Sequence, residues 1–178
     1  VKGIPRTDML FAGCAPCQPF SQQRKSASRR PDATLLVAFA RLVEVFKPGQ
    51  VLVENVPGLT KVKGFSAYRR FLRTLRLNRY EFVEGILDAK HFGVPQTRRR
   101  YVLLAMRGGK PSFPRRTNEP NSYETVRDAI IHYPPIRAGE KHVLFPNHEA
   151  ASISQLNITR LKHTPHDGGD RRAWPNAL

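Results

Sequence analysis

The sequence predicts an α/β fold, a largely parallel sheet with helices packed on it. Two observations predict it. Short apolar runs rich in β-branched residues alternate with longer apolar stretches at helical spacing over the first hundred residues, and glycine or proline punctuates nearly every junction. Strand–helix–strand order of this kind gives parallel pairing with both sheet faces covered. Residues 8–13 (DMLFAG) form a short apolar run ending at glycine, consistent with a buried strand. Residues 33–47 (ATLLVAFARLVEVFK) read as a mostly buried helix, with Asp32 in the N-cap position and Pro48-Gly49 as the stop. Residues 50–56 are a second strand, β-branched and closed by Pro57-Gly58. From Phe65 to Leu77 apolar residues recur at Phe65, Tyr68, Phe71, Leu72 and Leu75, an amphipathic helix. Residues 81–87 and 101–106 supply two more strands. No helical pattern joins them, which leaves that pair free to run antiparallel. After Gly108-Gly109 the character changes. Residues 110–122 are proline-rich and poor in apolar residues, 128–131 suggest a short helix, and the rest lacks sustained periodicity. The expected division is therefore an α/β core over 1–107 and the start of a second region over 108–178.

Composition narrows the function. Thirty Lys and Arg against fourteen Asp and Glu give a net charge of +16 in 178 residues, with 40% hydrophobic residues. That is enough apolar material for a packed core and enough positive charge to attract polyanions, nucleic acid first among them. An anionic membrane surface is the competitor, but no basic amphipathic helix carries large aromatic anchors, and no apolar run approaches the roughly 18 residues that span a bilayer. Two cysteines cannot build a disulfide framework, so a reducing cytoplasm is the expected compartment. The chain starts at Val1 without Met or a signal-type apolar segment, which suggests a processed or truncated piece.

Three segments carry chemistry. Cys14-Ala15-Pro16-Cys17 follows the first strand, where open α/β sheets place their sites. It reads as a redox dithiol, as half a zinc site lacking a second cysteine pair, as one nucleophilic cysteine, or as two inert buried thiols. Gln18-Pro19-Phe20-Ser21 argues against the helix that a redox dithiol opens, and Arg24, Lys25, Arg29 and Arg30 follow without an acid, as in a loop that could close on a phosphate backbone. Glu54 ends the second strand, where partial desolvation would raise its pKa and suit it to proton transfer; a strand-end ion pair with an arginine is the plainer reading. Arg98-Arg99-Arg100 precede the last strand. Period-2 alternation puts Arg98 and Arg100 on one face, able to hold a carboxylate and a phosphate or base oxygen; a charged strand edge that deters aggregation is the alternative.

Together, Pro16-Cys17-Gln18-Pro19-Phe20-Ser21, then Glu54-Asn55-Val56, then Gln96-Thr97-Arg98-Arg99-Arg100 resemble the DNA cytosine-5 methyltransferases, in that family's order and spacing. The resemblance covers about residues 8–107; Thr125–Ile130 is similar to a segment that many bacterial members carry before their target-recognition region. It implies a partial Rossmann-like S-adenosylmethionine-dependent methyltransferase core followed by the start of a target-recognition region. It implies double-stranded DNA as partner, S-adenosyl-L-methionine as cofactor, no metal and no membrane, within a bacterial restriction-modification system. Cys17 would attack carbon 6 of a flipped-out cytosine, Glu54 would contact nitrogen 3 and the exocyclic amine, and Arg100 would touch the base and orient Glu54, with Arg98 the second family arginine. Ala15, Ser21, Asn55, Val56 and Gln96 would contact substrate, with Ser21 on a phosphate, while Pro16 and Leu35 would line the cofactor pocket. Cys14 is then expected to be a reduced, packed thiol.

The family's glycine-rich cofactor loop and its ribose-binding acid do not occur here. Its final motifs do not either, so the resemblance implies a central portion that needs the missing parts of the same enzyme. An RNA cytosine-5 methyltransferase and a non-catalytic binding piece of a split enzyme are the rivals. Arg69, Arg73 and Arg76 are expected to be solvated, and Trp174 to anchor packing.

Overall fold

The computed structural model describes residues 6–14, 33–60, 66–117, 122–166 and 168–176. By contact density the chain separates into two compact units, Val1–Ala129 and Ile130–Leu178.

The first unit is built on a four-stranded sheet: β1 (Leu10–Gly13), β2 (Gln50–Asn55), β3 (Tyr80–Asp88) and β4 (Arg99–Arg107), in the spatial order β1-β2-β4-β3. The sheet is mixed. β1 and β2 pair in parallel, whereas β4 runs antiparallel to both its neighbours. The expected antiparallel last pair is present, and β1, β2 and β3 all run in one direction; what departs from the expectation is the place of β4. β3 points the same way as β2 yet lies one place beyond it, and β4 fills the gap. The reason is chain length: the short link between β3 and β4, which includes a single 3-10 turn (Ala89–Phe92), cannot carry the helical crossover that a parallel return requires.

Helix α1 (Ala33–Phe46) buries Leu36, Ala40 and Val43, a stripe at helical spacing. Helix α2 (Ser66–Leu77) buries Ala67, Phe71, Leu72 and Leu75 and exposes Arg69, Arg73 and Arg76, as expected of that arginine face. The two helices meet through stacked Phe39 and Phe71, whose rings lie 5.9 Å apart. Both pack on one sheet face, against Val51 and Val53 of β2 and Tyr101, Leu103 and Ala105 of β4. The alternate residues, Leu52, Val102, Leu104 and Met106, are half-buried. On that second side the proline-rich stretch approaches the sheet, and a Cβ on Gly85 would come within 3.1 Å of the Phe113 ring. The two-sided helical cover expected from the sequence is thus replaced, among the described residues, by helices on one face and an irregular segment at the other.

Two details fix the strand starts. A Cβ at Gly49 would fall 2.0 Å from the Thr7 carbonyl oxygen, so only glycine lets β2 enter beside the turn before β1. Tyr80 donates its hydroxyl to the Pro48 carbonyl at 2.5 Å, and burial pushes its pKa up to about 12.

Helix α3 (Val126–Ile130) begins two residues earlier than the sequence suggests. Thr125 and Asp128 cap it reciprocally: the Asp128 carboxylate accepts from the Thr125 backbone N–H at 2.9 Å and from its hydroxyl at 2.6 Å, and the Thr125 hydroxyl accepts from the Asp128 N–H at 3.2 Å. These bonds hold the Asp128 carboxyl below its usual pKa. In the second unit, helix α4 (Gln155–Lys162) was not foreseen. None of its residues is buried, so it leaves no apolar stripe to read. Trp174 is an anchor as expected: its indole N–H donates to the Thr164 hydroxyl at 2.9 Å, and the Arg160 guanidinium lies 5.2 Å from its ring.

Candidate active site

Strand register assembles the site. Gly13 pairs with Val53, so the next residue, Cys14, arrives beside Glu54 at the carboxyl end of the two parallel strands. On the other side of β2, Glu54 pairs with Val102, and Arg100 is two residues from Val102 on the same sheet face. Arg100 Nε lies 2.9 Å from Glu54 Oε1. The Cys14 thiol donates to Glu54 Oε2 at 3.0 Å. Each carboxylate oxygen therefore has a donor from a different neighbouring strand. About a third of the Glu54 side chain stays open to solvent, so the cluster is accessible to a ligand. Cys14 is exposed, which corrects the expectation of a packed thiol: it stands one residue beyond the end of β1.

Leu35, in the first turn of α1, is half-exposed and lines a cavity of about 310 Å³ with Gly13, Cys14, Phe39 and Val53. This cavity adjoins the Glu54 cluster through Cys14. Its apolar lining suits one wall of a site for a nucleoside-bearing cofactor.

Other expected site residues are placed differently. Arg98 precedes β4, is exposed, and uses its backbone N–H to reach Asp88 Oδ1 at 3.0 Å. Asn55 is buried at 2% exposure on the helix-covered face, opposite in parity to Glu54, and its Oδ1 accepts from the Val56 N–H at 2.9 Å. Val56 is half-buried just beyond the strand. Gln96 is exposed in the turn before β4. Ala15, Pro16, Cys17 and Ser21 lie outside the described residues.

A polar knot went unforeseen. Tyr68 and Tyr101 both donate to Glu84 Oε2, the latter at 2.6 Å, and their hydroxyls are 2.8 Å apart. Burial, with help from the Glu84 carboxylate, raises both phenol pKa values and keeps them protonated donors. An acid, Glu84, on the same face of β3 as Phe82 and Ile86 was the available signal. The knot ties α2, β3 and β4 together behind Arg100.

Comparison with known proteins decides the family. The family of C-5 cytosine-specific DNA methylases matches residues 1–168. The chain belongs to it. Among curated relatives of this methylase chain, the type II methylase M.HgiDII of Herpetosiphon aurantiacus is 30% identical over 169 residues, 95% of this chain and 48% of that protein. The type II methyltransferase M.XorII of Xanthomonas oryzae pv. oryzae is 34% identical over 187 residues, 100% of this chain and 43% of its own length. This methylase chain thus spans about half the length of the curated relatives it matches. A solved structure of a prophage-encoded DNA modification methyltransferase (E. coli) superposes with a TM-score of 0.59 at 25% identity, over 73% of this chain and 36% of that one. The sheet described above is therefore part of a Rossmann-like methyltransferase core.

Proposed function

We propose that the protein methylates carbon 5 of cytosine in double-stranded DNA, acting with the remaining parts of the enzyme in a bacterial restriction-modification system. The observation that carries this reading is the Glu54 carboxylate held by Arg100 at the carboxyl end of β2, in a chain of this family. An arginine there keeps the carboxylate in one orientation and leaves it open to a ring edge.

The target base is flipped out of the stack, at a cost of a few kcal/mol. Cys17 attacks carbon 6 as a thiolate, a carbon–sulfur bond forms, and the ring's carbon 5–carbon 6 double bond opens. Glu54 meets nitrogen 3 and the exocyclic amine, and a proton held there neutralises the charge that the addition places on the ring. S-adenosylmethionine supplies an electrophilic methyl group when bound, with Leu35 and Pro16 on its pocket wall. After transfer, with the cofactor leaving as its neutral thioether, carbon 5 would lose its proton to solvent, and that electron pair would expel the Cys17 thiolate and restore the aromatic ring. Arg98, Ser21, Ala15 and Gln96 contact the extruded nucleotide, as do Asn55 and Val56 through their backbone, since the Asn55 side chain faces the core. Residues 108–178 begin the target-recognition region.

A duplex carrying 5-fluorocytosine tests this, because fluorine cannot leave as the proton does and the adduct persists. With cofactor present, the full-length enzyme should form a stable protein–DNA adduct that maps to Cys17, and Cys17→Ser should abolish it. Glu54→Gln should slow adduct formation by about a hundredfold. No adduct, an adduct at another residue, or preferential reaction with transfer RNA over duplex DNA would overturn the reading.

A further inference from the structure

We propose that Cys14 is a positioning residue for Glu54. This rests on the reading of Glu54 given above and extends it to a residue that the family chemistry leaves without a role.

A glutamate side chain ends in a torsion with a broad, two-fold preference. One ion pair, that of Arg100 Nε with Oε1, fixes an oxygen but leaves the carboxylate plane free to turn about it. The Cys14 thiol, 3.0 Å from Oε2, is a second donor approaching from the opposite strand. Two donors on two oxygens define the plane. The parallel register makes this contact: Gly13 pairs with Val53, and the following residues, Cys14 and Glu54, emerge side by side. The neighbours of Cys14 divide between the cavity wall beside Leu35 and the carboxylate, so the residue links the two halves of the candidate site.

Thiol donation to a carboxylate is weaker than hydroxyl donation but of the same kind. Serine should therefore substitute and alanine should not. In the full-length enzyme, Cys14→Ala should lower kcat on duplex DNA about tenfold, the effect of losing one hydrogen bond to a charged group. KM for cofactor, whose cavity Cys14 also lines, should respond alike to alanine and serine, so that the kcat difference between the two variants isolates the carboxylate contact. Cys14→Ser should recover most of the loss. Equal activity of the native and alanine proteins, or equal damage by serine and alanine, would overturn the proposal.

A second readout needs no turnover. A facing carboxylate raises a thiol's pKa and slows its alkylation. Cys14 should react with iodoacetamide about threefold faster or more in Glu54→Gln than in the native protein, read by mass mapping. An unchanged rate would show that the two side chains do not touch, and would sink the proposal even if the cytosine adduct formed as expected. Faster alkylation without any cytosine adduct would leave the positioning contact standing and remove the proposed reaction.

Discussion

The two units of the chain hold themselves together by different means. In Val1–Ala129, β2, β4, α1 and α2 close over a continuous core in which Val43, Leu75 and Leu103 are wholly buried. In Ile130–Leu178 none of the described residues is buried; Val143 and Leu144 stand in solvent, and local contacts do the work. Tyr133, Phe145 and His148 cluster with ring centroids 5.3–6.4 Å apart, Ser154 caps α4, and Lys141 pairs with Glu149 across a single bridge at 3.6 Å. Burial of apolar area is the dominant favourable contribution to folding, so the first unit is a scaffold able to hold a carboxylate in place. The second exposes its side chains.

That contrast can be broken most forcefully at Leu103. Leu103→Ala should destabilise the first unit by about 3 kcal/mol, through lost burial and the cavity left behind, measured by denaturant unfolding. Tyr101→Phe comes next. Loss of the hydroxyl that donates to Glu84 should cost about 1.5 kcal/mol, and it should slow formation of the cytosine adduct if the knot steadies β4 behind Arg100.

Alkali offers a subtler test. Tyr80 has its pKa raised in the folded state to about 12, from 10.0, and Tyr68 and Tyr101 are raised as well. The fold favours the protonated phenols, so their contribution is complete below pH 10 and is lost as pH climbs through the folded values. Unfolding free energy of the first unit should fall from pH 10 towards 12, and Tyr80→Phe should flatten that fall. The smallest effect belongs to the second unit: Val143→Ser, at a position 95% exposed, should change stability by less than about 0.5 kcal/mol, as judged by the emission of Trp174 during unfolding. A larger loss would reveal packing that the exposed surface conceals.

Much of the first unit could be read in advance because its elements obey simple periods. The stripe Leu36, Ala40 and Val43 and the alternation of Val51 and Val53 each report the face they bury. The insertion of β4 between β2 and β3 could not be read, since apolar runs carry no label for direction or neighbour. α4 escaped because a helix without a buried face has no hydrophobic period. At the candidate site, Glu54 and Arg100 were legible as a strand-end acid and an arginine on alternating β positions. Cys14 was misjudged: its exposure depends on where the sheet ends and on what covers that edge, which are tertiary facts.

By itself, the sequence determined the residue types at the site, the strands and helices that bear them, and the strong positive charge. Tertiary structure alone decided that three strands in the order β1-β2-β4 bring Cys14, Glu54 and Arg100 together. Local propensity acts over a few residues, whereas strand pairing is set by which apolar faces can be buried at once across the whole chain, and only that pairing turns distant side chains into neighbours.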